Sequence, residues 1–387
     1  MEFKEWFCLN DRDSFTIDPK ITPSDARFYF GRAEKEKQIK TQLRKSFIAP
    51  GTPKMMIWGP YGSGKTQTLY YIDHYLRTDK PQSSRLSPRI LHVDVEVLSK
   101  SDCSTIHIQL LETLGKSPVT EWVENVLSRV DKDSLDKELS ELIGDPNAVA
   151  CLKELRLGGA SSLIAWRWLT GQSLSNAELQ TLKVTRNLGQ VGAGAMVNVL
   201  VGIGKLAERN GEKLVFLLDE MEQLLNVRTG DSTESIHQYF RKLADPANSA
   251  VGFVIGCTVD TRDDMPRILN RPDISTRIGE INYMEIPHLP AVQDVKTFVK
   301  ELLQHLVEQD AAEKRIQKEN LGVPLETYPF SNDAFELLCD YASQDPVKAL
   351  PRNLINAINE CAIQAWDEKK PIVDDSIVNN VAPLVFG

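Results

Sequence analysis

The sequence has no apolar run near the ~20 residues that a membrane-spanning helix requires. It has no C-x-x-C pair, and no histidine sits at ligand spacing beside any of its six cysteines. The first lack argues against a helical membrane span, and the others leave neither a disulfide framework nor a zinc site indicated. Positive charge is also short: 45 Lys and Arg stand against 54 Asp and Glu, a net charge of -9. Whole-molecule attraction to nucleic acid is therefore not expected, and any DNA contact requires a local basic patch or an assembled ring. The N-terminus, Met1-Glu2-Phe3-Lys4-Glu5-Trp6, is without the basic-then-apolar layout of a secretory signal, so a cytoplasmic location with no membrane partner is expected. Internal repeats and low-complexity tracts are absent too.

What is present has the balance of a soluble globular protein, with 42% hydrophobic and 26% charged residues over 387 positions. That length fits one middle-sized domain with a smaller companion. Residues 33–47 carry Ile39, Leu43 and Phe47 at helical spacing between lysines and arginines, which predicts an amphipathic helix with a basic face. Residues 54–58 form a short apolar run of buried-strand character, followed by a helix over 67–76. In 90–98, Val93, Val95 and Val97 alternate with polar residues and predict a second strand. The stretch 119–206 reads as almost wholly helical. Residues 214–218 and 251–257 are apolar strands, 281–286 closes the set, and beyond Pro287 only helices are expected, over 292–307, 333–342, 351–366 and 374–381. Strands alternating with helices imply an α/β fold with a mostly parallel sheet covered on both faces. The expected organisation is an α/β domain over 1–290, with a helical insertion at about 118–207, and a helical domain over 291–387.

The sharpest motif is Gly59-Pro60-Tyr61-Gly62-Ser63-Gly64-Lys65-Thr66, which matches the phosphate-binding pattern G-x-x-x-x-G-K-[ST] between a strand and a helix. Gly62 and Gly64 allow main-chain amides to turn inward around a triphosphate, Lys65 neutralises its β/γ charge, and Thr66 offers a hydroxyl to magnesium. Gln67, next in line, is counted with the nucleotide-binding set. ATP and Mg2+ are thus the expected ligands. In Leu214-Val215-Phe216-Leu217-Leu218-Asp219-Glu220, a buried strand delivers Asp219 to the metal side and Glu220 as the acceptor that polarises an attacking water. Helix capping by either carboxylate is the plainer alternative.

Together these residues resemble the AAA+ ATPases, the P-loop NTPases with a C-terminal helical lid, and among them the origin-recognition initiator-like branch. The resemblance implies that Gly31 and Arg32, in Phe30-Gly31-Arg32-Ala33-Glu34, lie beside the adenine. Thr258 stands where the family has its first sensor, and Arg352, in Leu350-Pro351-Arg352-Asn353, where it has its second. Arg277 holds the place of the arginine finger that reaches a neighbouring subunit's ATP, with Arg271 as its rival. Trp166-Arg167-Trp168-Leu169-x-Gly171 inside the insertion is similar to a segment in ATP-binding proteins of bacteriophage-exclusion defence systems.

The resemblance implies ATP hydrolysis at subunit interfaces of a homo-oligomeric ring or filament. This would switch or drive a multi-component complex acting on DNA or a partner protein in anti-phage defence. Two other readings are open: an ATP-dependent DNA-binding or loading module with incidental hydrolysis, and a slow nucleotide-exchange signalling scaffold. The first would use Lys35, Lys37, Lys40, Arg44 and Lys45, together with Arg241 and Lys242 after the second motif, although such a run is ordinarily a solvated helix face. Residues 97–101 lack the aromatic-hydrophobic-glycine loop of protein-threading unfoldases. With the sequence running to Gly387, the initiators' winged-helix domain is not expected.

Overall fold

The computed structural model describes residues 2–48, 51–79, 86–129, 132–228, 230–289, 291–345 and 348–387. Five strands, β1 (Lys54–Gly59), β2 (Ser87–Asp94), β3 (Glu212–Asp219), β4 (Val251–Thr258) and β5 (Tyr283–Glu285), form one parallel sheet in the order β2-β3-β4-β1-β5. β3 and β4 are buried almost from end to end. Both of their faces are therefore covered, which is why they read as unbroken apolar runs rather than as alternating strands. Parallel pairing puts the strand C-termini at one edge, so Asp219 and Thr258, each the last residue of its strand, fall along the same side of the sheet.

Two expected strands differ from those observed. β2 ends at Asp94 although Val95 and Val97 remain buried. Val95 N–H still reaches the Asp219 carbonyl at 3.1 Å, but beyond it the main-chain donors leave the ladder: Glu96 N–H goes to Gln109 Oε1 at 3.0 Å and Val97 N–H to Gln223 Oε1 at 3.3 Å. β5 is trimmed to three residues because a 3-10 turn, Glu280–Asn282, occupies its expected start.

The chain divides into two compact units. One comprises Lys40–Trp58 and Tyr75–Glu285 and contains the sheet and the helices between β2 and β3. Within those helices Trp168 is fully buried, its indole N–H donating to the Arg186 carbonyl at 2.9 Å, and Trp166 packs against the same core. The other unit gathers three separated stretches, Met1–Ile39, Gly59–His74 and Ile286–Gly387. Its core joins Phe7 and Phe15 to Leu302, Leu338 and Ile358. Trp6 Nε1 donates to the Lys370 carbonyl at 2.9 Å, and Phe15 N–H to Asn359 Oδ1 at 3.0 Å. The helix Gln309–Glu319 has no counterpart in the sequence reading, since only Ala312 is buried along it and no apolar stripe marks it. Among the described residues no helix is long and apolar enough to cross a membrane.

His107, fully buried in the sheet-containing unit, lies 3.0 Å from the Tyr239 hydroxyl and 3.0 Å from the Leu169 carbonyl. A carbonyl only accepts, so Nε2 carries the proton and Nδ1 accepts from the tyrosine. Burial lowers this imidazole's pKa from 6.5 to about 4, with the Leu169 bond opposing weakly. The unfolded chain takes up a proton near pH 6.5 while the folded chain stays neutral to about 4, so this stability is present above pH 6.5 and lost as pH falls. We expect a loss of about 3 kcal/mol across that window. Urea unfolding of wild type and His107→Gln between pH 7 and 4 checks it, the variant showing the shallower decline.

Candidate functional site

The phosphate-loop residues lie in the three-segment unit. β1 leads directly to Gly59, where an added Cβ would stand 2.2 Å from the Ile286 carbonyl oxygen, so no side chain fits. Gly62 and Gly64 follow with φ of +81° and +95°, the left-handed region that lets successive amides face one concavity. The helix Lys65–Thr78 begins at once, its N-terminal dipole directed at the loop. Lys65 is buried and its ammonium donates to the Pro60 carbonyl at 2.8 Å, which folds it back over the loop's own main chain. Ser63 Oγ is buried with no hydrogen-bond partner among the described residues. An orphaned hydroxyl and a buried cation around an amide-lined turn are a donor set that suits a phosphate chain.

Arg352 belongs to this loop's immediate surroundings. It lies in the first turn of the helix Pro351–Asp367, its main-chain N–H directed at the Gly62 carbonyl at 3.4 Å and its guanidinium 4.4 Å from the centre of the Tyr61 ring. Among the described residues it makes no ion pair. A residue nearly three hundred positions from the loop in sequence is thus set directly upon it.

Gly31 and Arg32 are held in the same unit. Gly31 N–H donates to Glu301 Oε2 at 2.8 Å, and Arg32 Nη2 donates to the Pro287 carbonyl at 2.6 Å. Burial lowers the Arg32 guanidinium below its ordinary value, an effect that Tyr29 partly opposes. Beside them opens a cleft of about 400 Å³ lined by Tyr29, Gly31, Arg32, Glu36, His288 and Glu301, among others. Tyr29 stacks on Tyr71 with ring centres 5.0 Å apart, and Tyr71 donates to Glu36 at 2.5 Å. Gln67 turns its amide to the carbonyls of Asp25 and Phe28, both at 2.8 Å, and so ties the segment before Gly31 to the loop's helix.

The carboxylates lie in the sheet-containing unit. Asp219 ends β3 nearly buried, its Oδ1 accepting the Glu220 N–H at 3.0 Å and its carbonyl the Val95 N–H at 3.1 Å. Glu220 sits at φ +60°, a left-handed conformation that costs a residue with a Cβ of order 1 kcal/mol and tends to mark functional positions. Asp94 is paired directly opposite Asp219 in the β2–β3 register. Thr258 ends β4, and its N–H donates to Glu222 Oε2 at 2.8 Å.

Arg271 caps and Arg277 lies on the helix Pro272–Ile278 in the same unit. Arg277 donates to the Asp273 carbonyl and has Nε 3.8 Å from Asp245. Arg271 lies 3.0 Å from Glu234 and 3.7 Å from Asp273. Both arginines have carboxylate partners, so this geometry does not choose between them. On the basic helix, Arg44 donates to the Tyr75 hydroxyl at 2.7 Å and Lys40 lies over that ring at 5.4 Å, which engages part of the charge. Asp94 and the Tyr29–Tyr71 stack were not singled out from the sequence, and the bond from Glu222 to Thr258 was not anticipated. Asp94 looked like a polar step in an alternating strand, and an acid that accepts a distant main-chain amide has no spacing signature.

No protein-family model matches the chain, and no curated protein matches its sequence. Solved structures do resemble it. The Aeropyrum pernix ORC2 protein in its ADPNP-ADP complexes has a TM-score of 0.55 and 13% identity, covering 98% of this chain and 72% of that one. The ADP form of the same protein gives 0.54 and 13%, over 97% and 73%. At such identity the likeness concerns the fold alone. The five-stranded parallel sheet, with the phosphate-loop sequence after β1, defines an AAA+ P-loop fold. Within that class its arrangement is similar to that of the Aeropyrum pernix ORC2 protein.

Proposed function

We propose that this chain binds ATP with magnesium and hydrolyses its β–γ phosphoanhydride. The observation that carries the reading is the loop 59–66, with left-handed Gly62 and Gly64, buried Lys65, and Arg352 set upon it. The loop amides and Lys65 take the phosphates, and Thr66 and Asp219 hold magnesium, which when bound neutralises phosphate charge. Glu220 accepts the proton side of the attacking water, while Thr258 and Arg352 contact the γ-phosphate end. The cleft beside Gly31 and Arg32 is of a size that takes a base and ribose, which supports an adenine position there.

In this reading copies of the chain assemble side by side as a ring or filament, with Arg277 or Arg271 completing a neighbour's site. Turnover then switches a multi-component machine acting on DNA or a partner protein. The resemblance of the Trp166–Gly171 segment to phage-exclusion ATP-binding proteins supports a defence setting.

Equilibrium binding of a fluorescent ATP analogue to the purified chain with magnesium tests the core of this reading. Saturable binding is expected, weakened roughly 10- to 100-fold in Lys65→Ala, the range set by loss of a charge-assisted hydrogen bond. Absence of adenine-nucleotide binding by the wild type would overturn it.

A further inference from the structure

We infer that Glu222 is a positioning residue for hydrolysis, acting through the main chain of Thr258; this rests on the ATPase reading above. The short 3-10 helix Met221–Asn226 starts at Glu220 and is anchored by buried Met221 and Leu224. Its next two side chains reach in opposite directions along the sheet edge. Gln223 Oε1 accepts the N–H of Val97 beyond β2 at 3.3 Å, and Glu222 Oε2 accepts the N–H of Thr258 at the end of β4 at 2.8 Å. β2 and β4 are the two neighbours of β3. One helical turn therefore cross-braces the ends of three adjacent strands, with Glu220 at its origin.

The Thr258 N–H lies at the C-terminal end of β4, beyond Ile255, where the β3–β4 register ends. A carboxylate acceptor there makes a charge-assisted bond, stronger than a neutral one. It holds the main chain of Thr258 while the hydroxyl makes no hydrogen bond to any described residue. Glu222 thus couples the residue that faces the water to the residue that faces the γ-phosphate. Its removal leaves both side chains present but their separation unfixed.

Steady-state kinetics and amide hydrogen exchange on Glu222→Ala and Glu222→Gln test this. Glu222→Ala should lower kcat about 10- to 100-fold, the cost of misplacing a reacting group by an ångström or less. KM for ATP should stay within about two-fold, because nucleotide binding does not use this bond. Exchange at the Thr258 amide should speed up in the same variant. Glu222→Gln keeps an acceptor oxygen and should restore both readouts to within about three-fold of wild type. An active wild type with unchanged kcat in Glu222→Ala, or a Glu222→Gln as impaired as Glu222→Ala, overturns the positioning role alone. A wild type that binds ATP without turning it over overturns the hydrolytic reading, and this role with it.

Discussion

Glu220→Gln is expected to bind ATP as the wild type does and to turn it over ~10²- to 10⁴-fold more slowly, the range that general-base assistance contributes. The substitution keeps the side-chain length and removes only the ability to take a proton. Glu220 occupies its left-handed conformation between buried Asp219 and the braced turn that follows, so the amide should occupy the same place. Phosphate affinity, which the proposed mechanism assigns to Lys65 and the loop amides, has no reason to change. Release of inorganic phosphate under single-turnover conditions, set beside an equilibrium titration with ATP, separates the two effects. The proposed side-by-side assembly should also persist in the slowed variant in the presence of ATP, visible by mass measurement with ATP against ADP. An unaltered phosphate-release rate would remove Glu220 from the mechanism.

In the proposed mechanism Arg352→Ala should have a comparably large effect, a fall in kcat of about 10³-fold, since an arginine that contacts the transferred phosphoryl group supplies ~10³–10⁵ in rate. The guanidinium is exposed, stands over Tyr61 and has no ion pair among the described residues. Its structural contribution is a surface cation–π contact of about 0.5–1 kcal/mol. The thermal midpoint should therefore move by only a few degrees. Arg352→Lys, which keeps the charge but loses the planar fork, should recover only part of the rate. Full activity in Arg352→Ala would assign this arginine to the loop's packing alone.

The sequence made the buried strands plain because burial on both faces leaves an unmistakable apolar run, as in β3 and β4. It misplaced the end of β2 because alternation reports which residues are covered, not what their amides bind. Val95 and Val97 are covered, yet the amides of Glu96 and Val97 go to glutamine side chains. The helix Gln309–Glu319 escaped because it buries almost nothing. The phosphate loop was legible because glycines needed at fixed steps leave a spacing. The nearness of Arg352 to that loop was implied only by family likeness, for contacts between residues 61 and 352 have no local pattern. The bonds from Glu222 and Gln223 were invisible for the same reason.

The three-segment unit has a consequence for biosynthesis. Its first stretch is translated well before the partners that cover Phe7 and Phe15, around Leu302, Leu338 and Ile358. Closing so long a loop of chain is entropically slow. The loop at 59–66 is translated long before Ile286 and Arg352, which stand against it in the fold. A growing polypeptide of this sequence therefore carries the phosphate-loop motif without those surroundings until residue 352 has been made.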